Sequence, residues 1–553
     1  MNTLTWGSCD PALRVSLFHL TCLLALCWLT YVDVLKGLFV IDDSTSMAVY
    51  DGKLQRPLSI GNCWKWLRFH ATKVPHPDHQ WQEKKYPSYV CSPKAHHRLN
   101  IWFLCGTVGM LYSFLARLFG SEVAFLTCVL FTVHPFGTQT VAWISGISYV
   151  AGAFLMLTAV NLAYLLTDLG WLTTPLGVLG ATVLYGLIHW LAIEVMFAML
   201  GVFLILWFLH LPVFAWVAFG FAIYSGLIAF REAFVLRAST FKEQNMPQTL
   251  TLHWRKGIVV LKTLGYYTLF MLWPKRIGIY HTYTYHYELP YAEAEDRYTW
   301  IGLVVLIVMG LGWWLGTPLI QFALLWYVAF LILFLNWVTA NQFLTERYAW
   351  LSTVGACLLL AACAPPWLFW ILVGLALMRT WSHLPTYYNE TQFYMSNVWN
   401  FPNSEIAMGN LGVIYANRGL IGHALETWLL GLSVKSDYDV CWYNIGAALR
   451  VRGPLNFNYI PLLTTHIPAD VIQNAVKEPV KAHLALAWYC IHRAATSKLS
   501  HFRVRWEGEL KELDGLLAKT PEELMAMANA STQPLATASS APVVVTSTPP
   551  VGT

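Results

Sequence analysis

The chain has 553 residues, 57% of them hydrophobic and only 12% charged, with a formal net charge of +5 and a mean hydropathy of +0.49. Soluble domains carry about 25% charged residues, so the composition excludes an ordinary water-soluble enzyme and puts the chain in the membrane class. The basic excess lies in 44–99, where nine Lys/Arg face three acids; this loop between apolar runs has no nucleic-acid-binding motif, so a nucleic-acid partner is not expected.

Taken in order, the first apolar run is 15–35. It resembles the hydrophobic part of a signal peptide, but no small-residue cleavage site follows, so it is expected to stay as the first helix. It ends at Asp42-Asp43, two adjacent carboxylates at a membrane edge, which require either a solvated exit or a function. Further runs at 100–117, 121–136, 140–166, 173–189, 191–208, 211–229, 299–315, 318–337, 347–363 and 366–380 bring the expected spans to eleven, since a bilayer core takes roughly 20 apolar residues per helix. The run 256–274 carries Lys256 and Lys262 and ends at Trp273-Pro274, which suits an interfacial or re-entrant helix. Positive-inside counting favours a cytoplasmic 44–99, but the rule weakens in loops near 60 residues. The eleven cysteines contain no CxxC pair or metal-type spacing, so no metal site is expected and the cofactor stays unknown. Cys63 and Cys91 share one loop and are bridged or free according to its compartment.

Past Arg379 the apolar runs stop and a 34-residue period begins: Asn410-Leu411-Gly412 recurs as Asn444-Ile445-Gly446, and Gly419 as Gly453. This is the tetratricopeptide period. The segment 385–401 fits the second helix of an earlier repeat and 479–497 a cap, giving a short solenoid over 381–500. A charged helix is expected over about 505–529 within 501–530. The tail 531–553, almost all Ser, Thr, Ala, Pro and Val, is expected to be disordered. The fold class expected is therefore all-α: a polytopic membrane helix bundle over 1–380, with an extracytoplasmic loop 42–99, followed by helical repeats.

Several short motifs recur in a meaningful order: Phe39-Val40-Ile41-Asp42-Asp43, Arg56-Pro57-Leu58, His97 with Asn100, and His134-Pro135 followed by Val141-Ala142-Trp143-Ile144-Ser145-Gly146. Glu194 and Glu346-Arg347-Tyr348 complete the set. With the repeats behind them, the order resembles the transmembrane and tetratricopeptide-repeat O-mannosyltransferases and their bacterial relatives, which are C-type, lipid-phosphosugar-dependent glycosyltransferases. The resemblance covers 15–455. The chain departs from that pattern at Gly137-Thr138-Gln139, where a His and Thr-Glu are usual, at Ile147 and Tyr149, where an Arg and an Asp are usual, and at Ile193, where a Lys is common.

The resemblance implies inverting transfer of a sugar from a polyprenyl-phosphate donor to an acceptor hydroxyl, with the repeats recruiting a protein acceptor and lipid surrounding the bundle. Phosphate is a stable leaving group, so a single general base is the minimum equipment, worth on the order of 10²–10⁴ in rate. Asp42 is the expected base and Asp43 its partner in orienting the acceptor. Arg56, His134 and Arg347 are expected at the donor phosphate, with His97, Asn100, Glu194, Glu346 and Tyr348 in support; of these, Glu194 is more simply read as a structural acid. The family topology places the Asp-Asp loop and the repeats outside the cytoplasm. A bacterial inner membrane is preferred over an endoplasmic reticulum membrane. The alternatives are a non-catalytic scaffold, to which the missing charges point, and a transporter, which the absence of inverted internal symmetry disfavours.

Overall fold

A computed structural model describes residues 11–40, 43, 71–75, 89–192, 199–230, 255–279, 297–336, 344–451, 459–497, 503–520 and 523–524. Among the described residues the chain divides into two compact units, one ending at Phe393 and the other starting at Tyr394. Hydropathy alone sets the boundary near 380. The last apolar helix instead runs on through a 3-10 turn at Leu384–Tyr387, and the Tyr387 ring packs on Phe393 at 5.9 Å.

The first unit is built of apolar helices: α1 (Pro11–Tyr31), α2 (Pro93–Phe119), α3 (Ser121–Val133), the short α4 (Gly137–Ala142), α5 (Ile147–Asp168), α6 (Pro175–Ala192), α7 (Met199–Phe208) and α8 (Pro212–Phe230). After these come α9 (Arg255–Leu272), α10 (Arg297–Leu315), α11 (Pro318–Leu331), the one-turn α12 (Glu346–Ala349), α13 (Thr353–Cys363) and α14 (Pro366–His383). The strands β1 (Lys73–Pro75) and β2 (Tyr89–Cys91) pair antiparallel. Among the described residues, five helical stretches are long and apolar enough to cross a membrane: Leu13–Lys36, Pro93–Phe119, Ile144–Asp168, Arg297–Leu315 and Pro366–Tyr387. Seven shorter apolar helices accompany them. A membrane environment explains why Trp314, Leu315 and Leu176 are 84%, 78% and 80% exposed, since lipid removes the penalty that water sets on such faces.

α2 begins seven residues earlier than its apolar run. Ser92 caps it by accepting from Ala95 N at 3.4 Å and Pro93 occupies the first turn, so the polar His96-His97-Arg98 turn is helical despite lowering the hydropathy average. α9 packs along α10 at a crossing of two glycines. A Cβ on Gly302 would lie 1.9 Å from Leu261 O, and one on Gly265 would lie 2.1 Å from Tyr298 O, so only glycine lets these antiparallel backbones meet. Leu38 N donates to Tyr388 O at 2.9 Å. The chain leaving α1 and the chain leaving α14 therefore meet at the same end of this unit.

The second unit continues from α15 (Glu390–Asn400) into α16 (Glu405–Asn417), α17 (Ile421–Val434), α18 (Asp439–Val451), α19 (Ile460–Leu463), α20 (Ala469–Val476), α21 (Ala482–Thr496) and α22 (Arg503–Leu517). The α16–α17 turn passes through Gly419 at φ +78°, a left-handed conformation that favours glycine. The two repeat glycines do the same work. A Cβ on Gly412 would sit 2.2 Å from Trp428 Nε1 of α17, and one on Gly446 would sit 2.7 Å from Ile491 Cγ1 of α21. Thus α16 pairs with α17 and α18 with α21. The segment 479–497, expected as a cap, supplies the partner of α18, with α19 and α20 inserted ahead of it; Gly453 lies outside the described residues. The charged helix ends at Leu517 rather than near 529, and beyond it Thr520 and Glu523 form a reciprocal capping box. The tail 531–553 lies outside the described residues.

Candidate functional site

The end of the first unit at which α1 and α14 finish also gathers the motifs. After Tyr31 a 3-10 turn and then Gly37, whose backbone is extended, carry the chain past α2. A Cβ on Gly37 would lie 2.9 Å from both His97 Nε2 and Tyr387 O, so the passage is open to glycine alone. Tyr388 donates its hydroxyl to Asp33, which is also paired with Lys36. Burial and this carboxylate push the Tyr388 phenol up to about 12.

Asp43 is fully buried. Its Oδ1 accepts from Ser145 N at 3.0 Å and Ser145 Oγ at 2.5 Å, and its Oδ2 accepts from Val40 N at 3.1 Å. The Ser145 loop is itself fixed by α2: Asn100 Nδ2 donates to Val141 O and Trp143 O, both at 3.1 Å. Gly146 closes the turn, where a Cβ would come 2.3 Å from Thr140 O. The order Asn100, loop 141–146, Asp43 is thus a chain of positional constraints across about a hundred residues of sequence.

His134 leaves no ring nitrogen for a ligand. Its Nε2 bonds Met271 O at 3.0 Å, and its Nδ1 accepts from Phe136 N at 3.2 Å, which fixes the His-Pro corner against the end of α9. Beyond it, Gln139 Oε1 accepts from Thr345 Oγ1 at 2.6 Å and from Arg347 N at 3.0 Å. That one amide joins segments more than two hundred residues apart. Tyr267 braces the same strand of chain, donating to Thr345 O at 3.2 Å and accepting from Thr345 N at 3.1 Å. Glu346 is buried and accepts from Gly278 N at 2.9 Å; it organises a loop.

Arg347 lies within an aromatic surround, its Cζ 4.8 Å from the Trp143 ring, 5.3 Å from Tyr348 and 5.8 Å from Tyr149. Tyr348 is in turn stacked on Phe334 at 4.7 Å. Ring faces stabilise a guanidinium, and its planar fork suits a phosphate or carboxylate. His97 and Asn100 lie on the buried first turns of α2. Asp42, Arg56, Glu194 and Cys63 lie outside the described residues. Among the described residues, no three His, Cys, Asp or Glu side chains converge as a metal site requires.

Of the residues expected from sequence, the structure therefore brings together Asp43, His97, Asn100, His134, Glu346, Arg347 and Tyr348. Sequence reasoning passed over Gln139, Trp143, Ser145, Tyr149 and Tyr387 as site residues. The first four sit inside or beside the motif that begins at His134, and two of them, Gln139 and Tyr149, are positions of departure from the family pattern. Tyr387 had no signal: it follows the last span and depends on where that span ends.

No family model, no curated protein and no solved structure matches the chain.

Proposed function

We propose that the chain is a membrane glycosyltransferase that moves a sugar from a polyprenyl-phosphate donor to an acceptor hydroxyl, a Ser or Thr of a protein. The observation that carries this reading is the meeting, at one end of an apolar helical unit, of a buried carboxylate, an aromatic-lined arginine and the loops that hold them. In the proposed reaction the acceptor oxygen attacks the anomeric carbon while the bond to the phosphate oxygen breaks. The phosphate leaves with the electron pair, and the hydroxyl proton passes to a carboxylate. Asp43 has both oxygens committed to Ser145 and Val40, so its part is to hold the loop, and the base is the preceding residue, Asp42. Arg347 takes the departing phosphate charge. With its ring nitrogens occupied, His134 has only a structural part.

The meeting of Leu38 and Tyr388 supports an even number of crossings between them, as in the eleven-span reading with α9 left out of the count. On that reading the Asp-Asp loop and the hairpins of the second unit face the same, extracytoplasmic compartment. There the paired helices α16–α17 and α18–α21, read as tetratricopeptide-like repeats, recruit the protein acceptor. Gln139 and Tyr149, standing where the family has acids, favour the second reading, a non-catalytic scaffold that retains the fold. Transfer of labelled sugar from polyprenyl-phosphate donors to protein acceptors by the purified chain decides between the two. Asp42→Asn should lower transfer at least about a hundredfold, and Arg347→Lys should lose much of it because the two-point fork is gone. Absence of transfer from every donor overturns the enzyme reading.

A further inference from the structure

Around Arg347, three polar side chains are at least nine-tenths buried and each has a donor atom with no partner among the described residues: Gln139 Nε2, Trp143 Nε1 and Tyr387 Oη. Gln139 touches Arg347 through its backbone bond at 3.0 Å, Trp143 lies under the guanidinium at 4.8 Å, and the 3-10 turn that carries Tyr387 packs against α4, the helix of Gln139. A buried donor left unmade loses its bond to water and gains none in return, so three beside one cation are an expensive arrangement for a part that serves packing alone. Stability sacrificed at one spot is the mark of a binding site.

The chemistry of the three groups narrows the ligand. An indole N–H donates and cannot accept. The oxygen of Gln139 is already taken by Thr345 and Arg347, which leaves its amide only donors. A sugar hydroxyl presents donors as well as acceptors and would find only the Tyr387 oxygen among the three able to accept from it, and a cation would face Arg347. What fits is a group that only accepts and carries negative charge. Arg347, Tyr149, Tyr348 and Ser145 each keep partial exposure, so the cluster opens on the side of the guanidinium.

We infer that Gln139, Trp143 and Tyr387 form, with Arg347, a cradle of donors for a phosphate oxyanion, and that Gln139 sets its specificity by presenting an amide where the resembled family carries an acid. That the anion is a phosphate rests on the reading under Proposed function; that it is an acceptor-only anion rests on the donors alone. Because two of the three donors are an amide and an indole, they keep their donor character across the working pH range.

The test is binding of a polyprenyl monophosphate to the full-length chain in nanodiscs of zwitterionic lipid, read by native mass spectrometry, with phosphatidic acid and inorganic phosphate as separate arms. Tyr387→Phe removes only an oxygen that has no partner among the described residues, so it should weaken phosphate binding about tenfold while the midpoint of unfolding stays level or rises. Gln139→Glu keeps an acceptor for Thr345 and Arg347 but turns the unpaired donor into an anionic acceptor, and should weaken binding more than tenfold with the fold kept. Equal affinity in both variants, or no binding in any arm to the wild-type chain, overturns the cradle. Variant-sensitive binding of phosphatidic acid or inorganic phosphate in preference to the polyprenyl lipid upholds the cradle and removes the support it lends to a polyprenyl donor. Variant-sensitive binding of the polyprenyl lipid without sugar transfer upholds the cradle and sinks the enzyme reading.

Discussion

Asp43 offers the sharpest measure of how this site is held. Its carboxylate accepts from Val40 N, Ser145 N and Ser145 Oγ at 3.1, 3.0 and 2.5 Å, in a place with no exposure to water. A hydrogen bond to a charged acceptor contributes about 1.5–3 kcal/mol, and a stranded donor costs roughly 1–3 kcal/mol. Asp43→Ala strands three donors at once, which allows for some relaxation and still predicts a loss of about 4 kcal/mol. Asp43→Asn keeps one oxygen for Ser145 but sets an NH₂ against Val40 N–H, and should cost about 2 kcal/mol. Ser145→Ala deletes one of the three bonds, for about 1–2 kcal/mol. If the Ser145 hydroxyl acts through Asp43, deleting it once the carboxylate is gone adds no loss and removes a stranded donor, so the double variant should be at least as stable as Asp43→Ala and the cycle should report a coupling of at least about 1–2 kcal/mol. Reversible unfolding of the full chain in mixed micelles, followed by far-ultraviolet circular dichroism, gives all four stabilities. Additive losses, or a cost below about 1 kcal/mol for Asp43→Ala, would show that the carboxylate does not pin this loop.

The glycine crossing of α9 and α10 has no room for side chains, so Gly302→Val should cost at least about 2–3 kcal/mol by forcing the backbones apart; a thermal midpoint equal to wild type refutes that packing. Cysteines placed at Thr45 and Asn403 should be labelled from the same side of sealed vesicles, and opposite accessibility would overturn the even count of crossings. In the second unit, burial lowers the pKa of His466 and of His483. The folded chain therefore prefers both neutral, and the stability they contribute is complete above the unfolded value of about 6.5 and lost as pH falls through it toward the lower folded values. Hydrogen exchange in α21 should be faster in relative terms at pH 5.5 than at 7.5 after correction for intrinsic rates, and the difference should shrink in the His466→Gln/His483→Gln chain; an unchanged difference removes these groups as its cause.

How much of this was legible beforehand follows from the range of the forces involved. Apolar runs are a local property, so the sequence by itself determined that the first unit is built of apolar helices, but not every end: α5 and α13 start later than the runs 140–166 and 347–363, and α11 stops short of 337. Capping is local too, yet the α2 start was missed because Ser92 and Pro93 outweigh the polar His96-His97-Arg98 turn that hydropathy penalises. The repeat period located Gly412 and Gly446 as equivalent, since both need the absence of a Cβ. It could not reveal that α18 would take α21 as partner, because the intervening α19 and α20 alter the distance along the chain without altering the pattern. The site divides in the same way. Asp43, Asn100 and Arg347 were visible as residue types that are costly beside a membrane. Their roles were decided only by the tertiary structure, which ties Asp43 to Ser145, engages both nitrogens of His134, and brings Gln139 to Arg347 across more than two hundred residues. A hydrogen bond is satisfied by whichever partner the fold delivers, so a sequence can mark which groups need a partner while packing alone decides which of them receive one.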